Sequence, residues 1–305
     1  MFYEYEEKME RLFLAIAFTL VASSVIAARF VSAYIPPFSI AFLSFGIASL
    51  TAVLFCGKKM YHTVKIISGK TLKTIILQAL FGSFLFRTFL LLGLQSIGAI
   101  EAGIIIGTLP AITALFAGII LREHLNARTV LGIFITFTGV LLVQGFPFET
   151  SLEKLISIGV IFVLCAAACE ALFTILSRKI HRNPQETETL SPVVHAGFVS
   201  IIAMTLCLIP VLIEQPWEAI KQLPYTGWIA LVWYGSIVTI VAFSCMFAGA
   251  KRCSGYTIAS FAGLIPIMSV ILSVIVLKEP IIFYQIIGGG FIVISIIIMS
   301  YKKIE

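Results

Sequence analysis

The sequence predicts an all-α integral membrane protein whose ten transmembrane helices form two inverted repeats of five. Three observations support this fold class. Hydrophobic residues make up 60% of the 305 residues and charged residues only 12%, whereas soluble domains contain about 45–50% and about 25%. The mean hydropathy of +1.08 leaves too few polar residues to cover a surface in water. Long apolar runs recur along the chain, and the second half repeats a pattern of the first.

Each predicted membrane element is a window of about 20 mainly apolar residues, the length that crosses the hydrocarbon core as a helix. Continuous apolar runs favour helices over barrel strands, in which apolar residues alternate over about 10 positions. The first run follows an acidic start and no small-residue cleavage site follows it, so we expect it to remain a membrane helix. Pro, Gly and charged residues separate ten windows, at 12–32, 36–55, 73–94, 99–121, 128–146, 155–177, 190–213, 226–249, 255–277 and 281–300.

The basic residues predict how the chain crosses the membrane. Connections rich in Lys and Arg tend to stay in the cytoplasm, and most of the 21 Lys and Arg residues lie on one side, together with both chain ends. We therefore expect a multi-pass protein of the cell membrane with both termini cytoplasmic. The same clustering argues against nucleic acid as a partner. The exceptions are Arg87 within a span and, on the outer side, Arg29, Lys154, Lys221 and Lys278.

An internal repeat divides the chain into two units, residues 1–150 and 151–305. At a constant offset, Pro110 pairs with Pro266, Leu121 with Leu277, Arg122 with Lys278, Glu123 with Glu279 and Gly132 with Gly288. Each unit holds five spans, and because five is odd, the second unit enters the membrane from the opposite side. A site between two such inverted repeats can open to either face in turn, which is the basis of alternating access.

The ten spans and the two copies of this Pro, Leu-Arg/Lys-Glu and Gly pattern resemble the EamA-type branch of the drug/metabolite transporter superfamily. The resemblance covers the whole chain. It implies a transporter with a central cavity lined largely by spans three, four, eight and nine, and it leaves the substrate open among amino acids, other metabolites and drugs. The family often carries a basic residue early in span two, where this chain has Ser44.

Charged residues inside the spans are the first candidates for function, because a charge at a helix centre costs about 2.5–3.5 kcal/mol on insertion scales. Arg87 lies in span three, roughly 14 Å from the nearest turn at 1.5 Å per residue. It is either an anchor for a substrate carboxylate or phosphate, or half of a structural ion pair. Glu170 lies deep in span six, where a carboxyl without a partner keeps its proton. Its functional role would be proton coupling or binding of a substrate amine. The structural alternative is a neutral carboxyl that is hydrogen-bonded to a neighbouring helix.

Two further titratable residues lie nearer the span ends. Glu101 opens span four, where its carboxylate suits the positive end of the helix dipole; the alternative is a gate or proton site. His195 follows Ser191 and Pro192 at the start of span seven, as an interfacial or capping residue or as a proton relay. Gln78, close to a span end, is expected to form only local hydrogen bonds.

Pro110 and Pro266 occupy equivalent positions in spans four and nine. Each removes a backbone hydrogen bond and bends its helix, which in a membrane leaves a carbonyl free to face a cavity. A kink that serves only helix packing is the alternative interpretation.

The function predicted from these features is secondary transport of a small organic solute such as an amino acid, as an exporter, by alternating access. The sequence holds no nucleotide-binding motif and no metal or hydrolase signature, so we expect no cofactor, no metal and no enzymatic activity, and coupling to a proton gradient, to exchange or to downhill flow. Two alternatives stay open, an intramembrane enzyme acting on a lipid-linked substrate and a membrane scaffold that transports nothing. The oligomeric state is left open.

Overall fold

The computed structural model of the chain describes residues 2–120, 127–143, 157–181, 190–250, 261 and 264–300. Every regular element within these ranges is helical. In the first half the helices are α1 (Phe2–Ser32), α2 (Pro37–Ile66), α3 (Gly69–Gly93), α4 (Ala99–Ile106), α5 (Leu109–Ile120) and α6 (Ala127–Val143). In the second half they are α7 (Ile158–His181), α8 (Pro192–Glu214), α9 (Trp217–Lys221), α10 (Tyr225–Gly249), α11 (Leu264–Leu277) and α12 (Phe283–Ser300).

Seven helical segments of the described ranges are long and apolar enough to cross a membrane. They are α1, α2, α3, the α4–α5 pair, α7, α8 and α10. Three shorter apolar helices, α6, α11 and α12, coincide with the predicted windows at 128–146, 255–277 and 281–300. Parts of the first two windows, 144–146, 255–260 and 262–263, lie outside the described residues. The chain is therefore a multi-pass, all-helical membrane protein.

Three predicted spans differ from the observed helices. The window at 12–32 lies within α1, which begins earlier, at Phe2. The window at 36–55 became α2, which continues past Lys58, Lys59 and Lys65 to Ile66. The window at 99–121 is divided at Gly107 and Thr108 into α4 and α5, and residue 121 lies outside the described residues. Apolar composition indicates which residues lie in lipid. A helix can continue beyond that boundary, because its backbone hydrogen bonds do not require lipid, so helix ends and span ends need not coincide.

The helices pack in pairs that join the two halves of the chain. α1 packs against α10 and α11, α2 against α8, α3 against α7, α4 against α11, and α6 against α12. Buried aliphatic side chains from these pairs form the core, and the large apolar side chains on the outside, such as Leu54, Phe55 and Ile213, face the region where lipid would lie.

Small residues allow α6 and α12 to approach closely. A Cβ atom on Gly288 would lie 2.6 Å from the carbonyl oxygen of Gly139, so these two backbones touch. Close approach at small residues is a common basis of helix packing in membranes. Ser295 Oγ donates to the carbonyl of Gly132 at 2.7 Å and lies 2.6 Å from Thr136 Oγ1. The pair is thus held by backbone contact and by a hydroxyl bridge.

Two carboxylates of the second half cap helices of the first half. Glu214, at the end of α8, accepts hydrogen bonds from the backbone N–H groups of Phe38 (3.0 Å) and Ser39 (2.7 Å) at the start of α2. Glu279 accepts from Ala99 N–H (3.2 Å) and Ile100 N–H (3.1 Å) at the start of α4. A carboxylate at a helix N-terminus satisfies free donors and complements the helix dipole. These caps fix the register between the halves at one end of the bundle.

Candidate functional site

The site forms where α3 and α10 depart from regular α-helix. The central parts of both helices, Ala79–Leu85 and Trp233–Ala242, are π-helical. A π segment widens the helix by one residue per turn and is frequent at functional positions. Here the two segments contribute side chains to one cavity, together with α1 and α7.

The cavity is narrow, with a volume of about 20 Å³, which is room for about one water molecule. Its walls are mostly apolar, but Ser24, Ser83, Arg87, Glu170 and Tyr234 bring polar groups to it. A mainly apolar hollow with a few convergent polar groups is the usual form of a small-molecule site. Arg87 and Glu170, chosen from the sequence as buried charges, thus lie in the wall of the same cavity.

Arg87 is buried and held by four side chains from two helices. Its Nη1 donates to Ser44 Oγ at 2.6 Å and its Nη2 donates to Thr239 Oγ1 at 2.8 Å. Its Cζ lies 4.0 Å from the ring centroid of Phe45 and 3.9 Å from that of Tyr234. Cation–π contacts of this kind stabilise a desolvated guanidinium.

The partners of Arg87 are all uncharged. Among the described residues no carboxylate lies within 4.0 Å of its guanidinium nitrogens, so the ion pair considered from the sequence is not formed with any of them. Two hydroxyls and two rings compensate part of the cost of burial, but they supply no negative charge. The cavity wall therefore carries a positive charge that an anion could neutralise.

Glu170 faces the same cavity from α7. It is 9% exposed, and within the described part of the chain its carboxyl oxygens form no hydrogen bond; the bond that involves this residue runs from Thr174 Oγ1 to its backbone carbonyl. The neutral carboxyl bonded to a neighbouring helix, one interpretation of the sequence, is therefore not seen there. Its carboxyl is open to a ligand or a proton.

Ser83 is a cavity residue that the sequence did not reveal. Its Oγ is buried and has no hydrogen-bond partner among the described residues. A buried hydroxyl without a partner costs free energy unless a ligand or water completes it. Ser83 follows Gly82 in the π segment of α3, and a π segment leaves no recognisable pattern in the sequence.

His195 lies in a separate buried network. Its Nε2 is 2.7 Å from Gln78 Oε1, and its ring stacks on Phe247 with the centroids 4.0 Å apart. Gln78 Nε2 donates to Ser177 Oγ at 2.9 Å. The network joins α3, α7 and α8, so the expectation of local bonds for Gln78 was wrong. His195 is fully buried and does not line the cavity of Arg87 and Glu170.

Glu101, Pro110 and Pro266 also lie away from the walls of that cavity. Glu101 is half-buried in the first turn of α4. Pro110 is in the first turn of α5, where a missing N–H breaks no helical hydrogen bond. Pro266, in the first turn of the described part of α11, packs its ring against Gly107. The functional roles considered for these three residues stay predictions.

The helices around the cavity differ from those that the resemblance implied. Spans three and eight, now α3 and α10, contribute as expected. The remaining walls come from α1 and α7, the first and sixth spans, and within the described residues α4, α5 and α11 contribute none. The described residues also contain no group of three or more His, Cys, Asp or Glu side chains placed to hold a metal ion.

Comparison with known proteins assigns the chain to a family. Its sequence matches the EamA-like transporter family twice, over residues 9–144 and 157–301. The chain belongs to the EamA-like transporter family. The uncharacterized transporter YetK of Bacillus subtilis (strain 168) is 28% identical over 293 residues, which cover 95% of this chain and 86% of YetK. An uncharacterized transporter of Archaeoglobus fulgidus is 28% identical over 304 residues, 95% of this chain and 96% of that protein.

A solved structure supports the fold of this EamA family member. A protein crystal structure superposes with a TM-score of 0.64, covering 95% of each chain at 20% sequence identity. Together with the family match, the apolar helices establish a membrane transporter. The family assignment made from the repeated Pro, Leu-Arg/Lys-Glu and Gly pattern is thereby confirmed.

Proposed function

We propose that this protein is a secondary transporter that exports a small zwitterionic metabolite, such as an amino acid, by alternating access. The observation that carries the proposal is that Arg87 and Glu170 line one buried cavity without neutralising each other. Ionisable residues inside membrane spans face functional pathways or partners, because their insertion is costly.

The chemistry of the two residues favours a substrate with both charges. The Arg87 guanidinium offers N–H donors in a planar fork, which suits a carboxylate. Glu170 can accept from an ammonium group, or it can carry a proton when no amine is bound. An amino acid presents both groups on one carbon atom, and the cavity, about 20 Å³ in this conformation, would have to widen to admit it.

Alternating access follows if residues 1–150 and 151–305 are inverted repeats. Two features support this arrangement. The π segments of α3 and α10 fall at equivalent places in the two halves. The contacts between α6 and α12 are also reciprocal: Gly139 meets Gly288, and Ser295, the equivalent of Gly139, bonds to Gly132, the equivalent of Gly288.

The cavity would then lie between two similar bundles that exchange shapes. Opening to one face and then to the other requires only that each bundle adopt the conformation of its counterpart. The distribution of Lys and Arg predicts both termini in the cytoplasm. As an exporter, the protein would bind the solute from the cytoplasm and release it outside.

Counterflow in proteoliposomes tests the proposal. Vesicles that contain the purified protein and an unlabelled amino acid should accumulate the same amino acid in radiolabelled form, and one member of a panel should be preferred. Arg87→Leu and Glu170→Gln should each lower this uptake by about 10- to 100-fold, the worth of a hydrogen bond to a charged group. Lys221→Leu and Glu218→Gln remove an exposed pair at the surface and are the matched controls.

Arg87→Leu should still fold, because it removes an uncompensated buried charge. Wild-type counterflow in both cavity variants would refute the assignment of the site. If no solute gave counterflow and none changed the thermal midpoint of the protein, the result would favour a membrane scaffold that transports nothing. Recovery of a chemically altered solute by mass spectrometry would instead favour the intramembrane enzyme.

A further inference from the structure

The side chains around Arg87 are arranged to hold a cation without neutralising it. Ser44 comes from α2 and Thr239 from the π segment of α10, so the guanidinium is held by hydroxyls of two helices from different halves of the chain. Phe45 and Tyr234 come from the same two helices. Hydroxyl and ring partners hold the guanidinium in position, but they do not neutralise its positive charge.

Hydrogen bonds to the backbone determine whether the hydroxyls of Ser44 and Thr239 remain free as donors or as acceptors. Ser44 Oγ donates its hydrogen to the carbonyl of Ile40 at 2.7 Å. Thr239 Oγ1 donates to the carbonyl of Tyr234 at 2.8 Å, five residues earlier, a spacing that the π segment provides. Each hydroxyl has one hydrogen. Both oxygens are therefore left as acceptors and can receive only a donor such as Arg87.

The same arrangement excludes these hydroxyls as anion ligands. With their hydrogens already donated, they have nothing to offer a carboxylate or a phosphate. Of the five N–H donors of a guanidinium, Ser44 and Thr239 each receive one. No hydrogen-bond partner of the other three is seen among the described residues, and Arg87 lines the cavity.

We propose that Ser44 and Thr239 are positioning residues that hold Arg87 as an uncompensated cation, so that the anionic group of the substrate supplies the counter-charge. The inference rests on the proposed function and adds to it that Arg87 requires an anionic group which no described side chain within 4.0 Å of its guanidinium nitrogens supplies. Phe45 and Tyr234 cover the guanidinium and limit the directions from which a ligand can approach it.

An internal counter-charge tests the proposal. Ser44→Asp and Thr239→Asp each place a carboxylate beside Arg87, and Ser44→Asn and Thr239→Asn are controls of nearly the same size. The thermal midpoint of the purified protein, without substrate, should be higher in each Asp variant than in its Asn counterpart by about 3 °C or more, the shift expected for a modest gain in stability in a protein of this size.

Acetate and acetamide provide the second measurement. They have nearly the same shape and differ in charge, so at equal ionic strength acetate should raise the wild-type thermal midpoint more than acetamide does. The Asp variants should lose this difference. Ser44→Thr and Thr239→Ser, which keep the hydroxyls, should retain it.

Three results would overturn the proposal. The first is an Asp variant that is less stable than its Asn counterpart or fails to fold when the counterpart folds. The second is an equal response of the wild type to acetate and acetamide, which can be measured even if every substituted protein fails to fold. The third is an acetate response that survives in the Asp variants. A correct acetate pattern without counterflow of any amino acid would support the positioning role and refute the proposed transport, so the two claims fail separately.

Discussion

Gly288→Ala should weaken the pairing of α6 with α12. A Cβ atom at this position would lie 2.6 Å from the carbonyl oxygen of Gly139 and 2.7 Å from the backbone nitrogen of Val143. An ordinary van der Waals contact begins at 3.4 Å, so the backbones must separate by about 0.8 Å at the point of contact. No change of rotamer can relieve the clash, because the opposing atoms belong to the backbone.

The expected cost follows from two opposing terms. Overpacking of a well-packed contact costs about 1–3 kcal/mol, and Ala in a helix interior gains about 0.5–1 kcal/mol over Gly. The free energy of unfolding should therefore fall by about 1 kcal/mol, and by about 2.5 kcal/mol at most. At about 2–4 °C per kcal/mol, the thermal midpoint should fall by roughly 2–4 °C, and by roughly 10 °C at most.

The assay is thermal unfolding of the detergent-solubilised protein, followed by intrinsic fluorescence. Gly290→Ala, two residues along the same helix, is the matched control, because nothing lies within 4 Å of a Cβ atom there. Its midpoint should equal or exceed that of the wild type. A midpoint for Gly288→Ala as high as that of Gly290→Ala would refute the close backbone contact.

Two further predictions concern the buried polar contacts. Glu214→Gln should lower the free energy of unfolding by about 1–2 kcal/mol, because a neutral amide is a weaker helix cap than a carboxylate. Glu218→Gln, in an exposed ion pair, is the control and should change it by less than about 1 kcal/mol. Equal thermal midpoints for the two variants would contradict the capping role of Glu214. Gln78→Leu should cost about 1–3 kcal/mol, since it removes the acceptor of His195 and a donor to Ser177. A Gln78→Leu protein with the chemical denaturation midpoint of the wild type would show that this network contributes nothing to stability.

Much of the fold could be predicted from the sequence because lipid imposes a simple rule. A segment that spans the membrane must be apolar and helical, and the windows at 12–32, 73–94 and 190–213 correspond to α1, α3 and α8. The break at Gly107 and Thr108 lies directly before Pro110, at which the sequence predicted a bend, whereas the extensions of α1 to Phe2 and of α2 to Ile66 escaped prediction. Both depend on local backbone hydrogen bonds, which apolar composition does not encode.

The candidate site was predictable only as far as burial of charge could indicate it. Arg87 and Glu170 stand out in the sequence because charges are rare in membrane spans. Ser44 stands out only as the position in span two where the family often carries a basic residue, and Thr239 does not stand out, because hydroxyls in such helices usually bond to a carbonyl of their own helix. Their contact with Arg87 depends on how three helices face one another, and that register becomes visible only when they are packed.

Accessibility of the cavity from each side of the membrane distinguishes alternating access from a cavity that opens to one side only. Ser24, a cavity residue of α1, is replaced by Cys in a variant without the natural cysteines, and a membrane-impermeant thiol reagent is applied to proteoliposomes from either side. Ser200→Cys, fully buried in α8 and outside the cavity wall, is the control and should not react. We expect labelling of Ser24→Cys from both sides, whereas labelling from one side only, or from neither, would rule out alternating access.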